Sequence, residues 1–300
     1  MTAVRGMSRR ERRLAARHGR RLLAVSVACM LAGLLPLFAI LALQGVNAHR
    51  QSVEAVQAES EQAAWPDSRK TGMLEQAQAY NRRLAESGQS AIGSLPDPVT
   101  GETDFAARAD TEYWSLLSGT QDVMGTIRIP RIGVVLPIRH GSDEGALANG
   151  AGHLYGTSLP VGGEGTHTVV TAHRGVPDKE LFTRLDELEE GDVFYLTVLD
   201  ETLAYKVTDV RESDPQDVSM VRIVPGEDLA TLLTCTPYGV NTRRLLVTGT
   251  RVSTPDVEDA SKDAKPVWVG VLVGGLVLLV GCLLVPDART VVGSHISRNR

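Results

Sequence analysis

The sequence predicts a mainly β fold, a closed or nearly closed antiparallel barrel behind a helical N-terminal segment, with a membrane-crossing helix on either side. Three observations carry that expectation. From Met124 onward, short β-branched runs follow one another, many of them alternating, with Gly and Pro between them. Two uncharged apolar runs, Leu22 to Leu43 and Val267 to Val285, are long enough to cross a bilayer, which takes roughly 20 apolar residues. Between Gln51 and Glu86 the chain is rich in Ala, Gln and Glu, a helical composition broken at Trp65-Pro66-Asp67.

Charge sets the orientation of these parts. The 300 residues carry a formal net charge of -5, which argues against a nucleic-acid binder. Arg5, Arg9, Arg10, Arg12, Arg13, Arg17, Arg20 and Arg21 crowd the N-terminus, and Arg289, Arg298 and Arg300 follow the second apolar run. Positive flanks stay inside, so both tails (1–21 and 286–300) are expected in the cytoplasm, with the helices at 22–43 and 267–285 holding the middle outside. A cleaved signal peptide is the competing reading, since Val46-Asn47-Ala48 tolerates cleavage. The run exceeds the usual apolar core of ~7–15 residues, however, and anchoring is the expectation.

The exported region divides further. Residues 44–93 read as a helical segment, and Ser94 to Asp104 (SLPDPVTGETD) is full of turn residues. Thr111 to Leu117 is a short helical piece. GTIRIP, VVLPIRH, HTVVTAH, VFYLTVL, LAYKVTDVRE, DLATLLTC and RLLVTGTRV read as strands, and Asp178 to Leu188 as the one helix among them. Residues 253–266 form a polar linker. No internal repeat and no metal-ligand spacing is evident. Val161 to Gly165 (VGGEG) lacks the Lys-Ser/Thr of a phosphate loop and reads as a turn, so no cofactor is expected.

The chain has three cysteines. Cys29 and Cys282 fall inside the apolar runs, which leaves Cys235 alone in the exported region. Outside a cell cysteines normally pair, so a solitary one is a buried structural residue, an intermolecular link or a reactive thiol. A catalytic thiol needs a base or cation beside it. Five histidines lie in this region: His49, His140, His153, His167 and His173. His173 closes a strand-like run just before Arg174-Gly175, as Cys235 closes its own, so the two could meet on one barrel rim. His49 lies beside the membrane, His167 opens its strand, and His140 and His153 fall in Gly-rich stretches where a capping or surface role is expected. An oxyanion donor is also required. Arg243 and Arg244 follow the Cys loop, and strand alternation lets only one of them face the site; which one stays open at this point.

TLLTCTPYGVNTRR (231–244) resembles the TLxTC signature of sortases, exported cysteine transpeptidases, and its Cys-Thr-Pro-Tyr-Gly-Val-Asn-Thr extension is similar to the pilin-polymerising class C enzymes. TAHRG around His173, MGTIRIPRIGVVLPIRHG and GHLYGTSLPVGGEGTH extend the resemblance over Met124 to Val252, and both membrane runs match the class C layout. The resemblance implies an eight-stranded sortase barrel at 113–252. It makes Cys235 the nucleophile, His173 its imidazole partner and Arg244, second of its pair, the substrate- and oxyanion-binding arginine. Arg243 stands where relatives often have His. It further implies a lid at 94–112, with Asp97-Pro98-Val99 in the place of the usual Asp-Pro-aromatic anchor.

The implied function is that of a membrane-anchored enzyme of the Gram-positive cell surface. It cleaves an LPxTG-type sorting signal between Thr and Gly and passes the pilin to a lysine of the next pilin subunit. Its partners are then pilins and the membrane, without nucleic acid. A sortase that attaches proteins to the cell-wall precursor is the nearest rival. A non-catalytic adhesin is the rival from another class, and it leaves Cys235 unexplained.

Overall fold

Ser8 opens helix α1 (Arg9–Ala63) with a capping box, its hydroxyl accepting from the Glu11 N–H at 3.3 Å while the Glu11 carboxylate accepts from the Ser8 N–H at 2.7 Å. The computed structural model describes residues 8–93, 107, 109–119 and 122–254. Within α1 the apolar run stays unburied, and this is the one helix among the described residues long and apolar enough to cross a membrane. The second apolar run, 267–285, lies outside the described residues.

Beyond that run the same helix changes character and packs on a barrel. Gln51 and Ala55 are buried, and Glu54 pairs with Arg139 and Glu59 with Thr126. Buried Gln62 donates to the Val123 and Met124 carbonyls, each at 3.4 Å, and accepts from the Leu199 N–H at 3.0 Å. Chain reversal at Trp65-Pro66 leads into α2 (Asp67–Glu86), which buries Ala77, Tyr80 and Asn81. The Asn81 amide clamps Leu159 from both sides, accepting from its N–H at 2.7 Å and donating to its carbonyl at 3.1 Å.

After α3 (Thr111–Ser115) come β1 (Val123–Ile129), β2 (Val134–His140), α4 (Glu144–Ala148), β3 (Ala151–His153), β4 (Thr166–Thr171), β5 (Val193–Val198), β6 (Glu201–Ser213), β7 (Asp228–Thr236) and β8 (Arg243–Val252). They close a barrel in the order β1-β2-β3-β4-β7-β8-β6-β5. Closure of eight strands is as expected; a wholly antiparallel barrel is not. The β2–β3 and β4–β7 pairs run parallel, because each is joined by a crossover rather than a hairpin. Strand β3 is only Ala-Gly-His and carries no β-branched signal.

A second correction concerns Asp178 to Leu188, which is no helix. Leu181 sits at φ 44, in the left-handed region that ends an α-helix. It and Phe182 are buried, and the Phe182 N–H donates to the His173 carbonyl at 3.1 Å, so the segment folds back on the end of β4. A single 3-10 turn, Leu185–Glu187, is all the helix it keeps.

Alternation divides the strands between two apolar clusters. Val170, Ala172, Leu232, Leu245 and Val247 point into the main core, whereas Val169, Leu233 and Leu246 point outward and pack with Leu154 and Val221. The outer face of β4, β7 and β8 is therefore partly covered by the β6–β7 connection.

Candidate active site

Cys235 lies on β7 directly opposite Arg244 on β8, one step beyond the Thr234–Leu245 pair. Leu233 and Leu246, the pair two residues back along the ladder, belong to the outer cluster, so the thiol and the guanidinium occupy that same outer face. On the other side of β7, Thr171 of β4 is level with Leu233. The Ala172 N–H extends this pairing by donating to the Leu233 carbonyl at 3.2 Å. Two residues beyond the Thr171–Leu233 pair on each chain, His173, just past the end of β4, falls level with Cys235. Val169 faces outward, and alternation puts His173 on that face too. The continued register thus brings His173, after β4, alongside Cys235 of β7 and Arg244 of β8.

The burial of each side chain follows from its place. Cys235 and His173 are half-buried at the end of the covered face. Arg244 is buried, 7% exposed, while Arg243, on the opposite face of β8, is exposed beside Glu212, 3.8 Å away. The Arg244 Nη1 donates to the Arg243 carbonyl at 3.2 Å, and its Nε has no hydrogen-bond partner among the described residues. No carboxylate among those residues pairs with it. Such a buried cation is costly to leave uncompensated and is poised to receive an incoming oxygen. Arg244 also lines a cavity of about 230 Å³, together with apolar Leu154, Val221, Leu233 and Leu246 and polar Ser213, Gln216 and Asp217.

Two residues that the sequence did not single out hold this arrangement from behind. Arg174 follows His173 and Thr236 follows Cys235, and both point to the opposite face. The Arg174 Nη1 donates to the Thr236 hydroxyl at 3.2 Å, and its Nη2 binds Asp186 at 2.5 Å. The Thr234 hydroxyl donates to the Ala172 carbonyl at 2.8 Å. Adjacency to His173 and Cys235 was the available signal.

The other histidines are occupied. His140 and His153 close β2 and β3 and are buried, which corrects their expected loop or surface role. The His140 Nε2 donates to the Leu116 carbonyl at 2.7 Å. The His153 Nε2 donates to the Ser158 carbonyl at 2.8 Å, while its Nδ1 accepts from the Tyr113 hydroxyl at 3.0 Å. The His167 Nδ1 donates to the Arg222 carbonyl at 2.8 Å, and its Nε2 accepts from Thr231 at 2.7 Å. Burial disfavours the charged imidazolium and holds all three below the ordinary histidine value, His153 at about 4. His49 is exposed on α1. Asp97, Pro98 and Val99 lie outside the described residues, and with them the expected Asp97–Arg244 contact.

A family profile for the sortase domain matches residues 127–252. Among curated relatives, Sortase D of Bacillus subtilis (strain 168) is 29% identical over 161 residues, 53% of this chain and 78% of that protein. Among solved structures, sortase C-1 from Actinomyces oris is 43% identical with a TM-score of 0.56, covering 63% of this chain and 100% of that one. The pilus-related sortase C of Group B Streptococcus is 41% identical with a TM-score of 0.57, covering 65% of this chain and 95% of that one. A thiol and a buried guanidinium paired across two strands of a closed barrel, with an imidazole just past the end of the neighbouring strand, together with these matches lead to one conclusion: the chain belongs to the sortase family of cysteine transpeptidases, with class C sortases as its structural neighbours.

Proposed function

We propose that the protein polymerises pilins at the membrane surface through Cys235, His173 and Arg244. The Cys235 thiolate attacks the Thr carbonyl of an LPxTG-type sorting signal, and the resulting oxyanion is held by Arg244. On collapse the Thr–Gly bond breaks, the departing Gly amine takes a proton from the His173 imidazolium, and a thioester to Cys235 remains. A lysine amine of the next pilin attacks that thioester and gives a proton to His173. An isopeptide bond forms and the thiolate is released. The apolar part of the cavity that Arg244 lines, Leu154, Val221, Leu233 and Leu246, suits the leucine of the signal, where burying such a side chain is worth ~1.5–3 kcal/mol. Anchoring is assigned to the run at 22–43 and, beyond the described residues, to that at 267–285, with the barrel outside the cell.

The observation that carries this reading is the Cys235–Arg244 pair across the β7–β8 ladder, with His173 two residues past the end of β4, the other neighbour of β7. The test is intact-mass analysis of the full chain incubated with a sorting-signal peptide and a lysine-bearing pilin fragment. The wild type is expected to gain the acyl mass and then lose it to the lysine, whereas Cys235→Ala gains nothing although it remains folded. Acylation of Cys235→Ala, or a wild-type thioester that ignores the lysine amine, would overturn the assignment.

A further inference from the structure

The rim of the barrel beyond Cys235 exposes two large apolar side chains, Tyr238 and Val240. Outside α1, the large apolar side chains exposed among the described residues are Val224, Tyr238 and Val240, at 44%, 59% and 63%. Two of these three stand on the β7–β8 loop. A methyl group built on Gly175 would meet the Tyr238 ring at 3.3 Å, so this loop leans against the loop that follows His173.

That second loop is gripped by α1 just past the end of its apolar run. The Gln44 side chain donates to the Pro177 carbonyl at 2.9 Å, and the Asn47 side chain to the Asp178 carbonyl at 2.8 Å. Gln44 directly follows Leu43, the last residue of the apolar run. With a rise of ~1.5 Å per residue, Asn47 stands ~6 Å beyond the end of that run. The polar layer on each side of the hydrocarbon is ~5–8 Å deep, so the two contacts fall within it. The β5–β6 turn is held at the other end of the same helix, through the Leu199 N–H to Gln62 at 3.0 Å. Gln62 is ~28 Å further out than Leu43 by the same rise.

We propose that the β7–β8 loop, with Tyr238 and Val240, and the Gly175–Lys179 loop rest in the lipid headgroup layer, so that Cys235 works at the membrane surface on substrates whose own anchors are still in the bilayer. The proposal rests on the anchoring and transpeptidase reading above. Two independent features converge on it, the height fixed by α1 and the exposed aromatic and aliphatic pair on the same rim. Tyrosine is enriched at the bilayer interface, where its ring is sheltered and its hydroxyl stays wet. The charges of the lower loop are already engaged, Lys179 with the Ala148 carbonyl at 2.5 Å and Asp178 with Asn47 at 3.2 Å, so approach to lipid strips no bare ion of water. A lipid surface is favoured over a protein partner because α1 sets the position of the rim whatever else binds.

The test uses the full chain in lipid nanodiscs whose lipids carry bromine near the top of the acyl chain. Val240→Trp and Asp200→Trp are compared on the common background of Trp65, Trp114 and Trp268. The emission added by Val240→Trp is expected to be quenched several-fold more strongly than that added by Asp200→Trp; equal quenching overturns the proposal. In a second arm, the double variant Tyr238→Ser/Val240→Ser is expected to be acylated by a soluble sorting-signal peptide in detergent at the wild-type rate, yet to lose several-fold in transfer from a substrate embedded in the same nanodisc. Unchanged transfer from the embedded substrate overturns the proposal. So does an equal loss with the soluble peptide, which would make the loop a docking surface for the substrate protein. Failure of the wild type to form any thioester would sink the transpeptidase reading instead and leave the quenching contrast intact.

Discussion

Arg174 donates to Thr236 at 3.2 Å, so the residue after His173 is tied to the residue after Cys235 across the ends of two parallel strands. The last backbone pair of those strands is Thr171–Leu233, and the side-chain bond carries the register beyond it. Arg174→Met is expected to slow acylation about tenfold at unchanged peptide KM, because a hydrogen bond involving a charged group contributes ~1.5–3 kcal/mol and small misplacements of reacting groups are expensive in rate. Single-turnover kinetics measure this, with Arg174→Lys recovering part of the loss. If only thermal stability changes, the bond holds the fold together and does not place the imidazole.

The two neighbouring arginines should part company when each is replaced. Arg244→Ala removes the buried guanidinium opposite the thiol and is expected to cost ~10²–10³ in the acylation rate, the range for deleting one oxyanion donor. Arg243→Ala removes an exposed side chain with a loose contact to Glu212 and is expected to stay within about twofold, as exposed ion pairs contribute little. Greater sensitivity at Arg243 would mean that the site faces the other side of β8.

Among the histidines, His173→Ala is expected to lower acylation by ~10²–10⁴, the usual contribution of a proton-transfer group. His140→Ala, His153→Ala and His167→Ala each remove buried hydrogen bonds and are expected to lower the unfolding midpoint more than the rate per folded molecule. Rates normalised to active thiol separate the two effects.

Those three buried histidines also predict how stability depends on pH. Each is held neutral by burial in the folded chain, His153 with its value lowered to about 4, whereas an unfolded histidine titrates near ~6.5. The folded state therefore takes up protons later than the unfolded one. Stability is complete above pH ~7 and falls as pH drops from ~6.5 to ~4, by up to ~1.4 kcal/mol per pH unit for each histidine involved. Urea unfolding of the detergent-solubilised chain across this range is the measurement. A midpoint that is flat down to pH 4 would show that these side chains are protonated or solvated in the fold.

Strand texture, the Pro66 break and the placement of Cys235 at a strand end were all legible in the sequence, because β-branched alternation and helix breakers act over a few residues. That Arg243 and Arg244 lie on opposite faces of β8 follows from the same period of two. What escaped was set at longer range. Strand β3, three residues without a β-branched side chain, exists because β2 and β4 offer it partners on both sides. Asp178 to Leu188 has a helical composition, yet burial of Leu181 and Phe182 beneath His173 bends the backbone out of the helical region. His140 and His153 read as surface residues until the Tyr113 ring packs against both, with ring centroids 5.2 and 5.7 Å away.

The parallel pairing of β4 with β7 has a consequence for the order in which the exported chain becomes competent. Arg174 and Thr236 are 62 residues apart, and parallel neighbours cannot be joined by a hairpin, so β5 and β6 must be laid down before the imidazole and the thiol can meet. The guanidinium arrives later still, on the strand that inserts between β7 and β6. In chain order His173 comes first, then Cys235 and finally Arg244. Until that last strand docks, the thiol is an ordinary cysteine with no fixed cation opposite it. On the proposed reading, the three site residues are brought together only when β8 completes the barrel between β7 and β6.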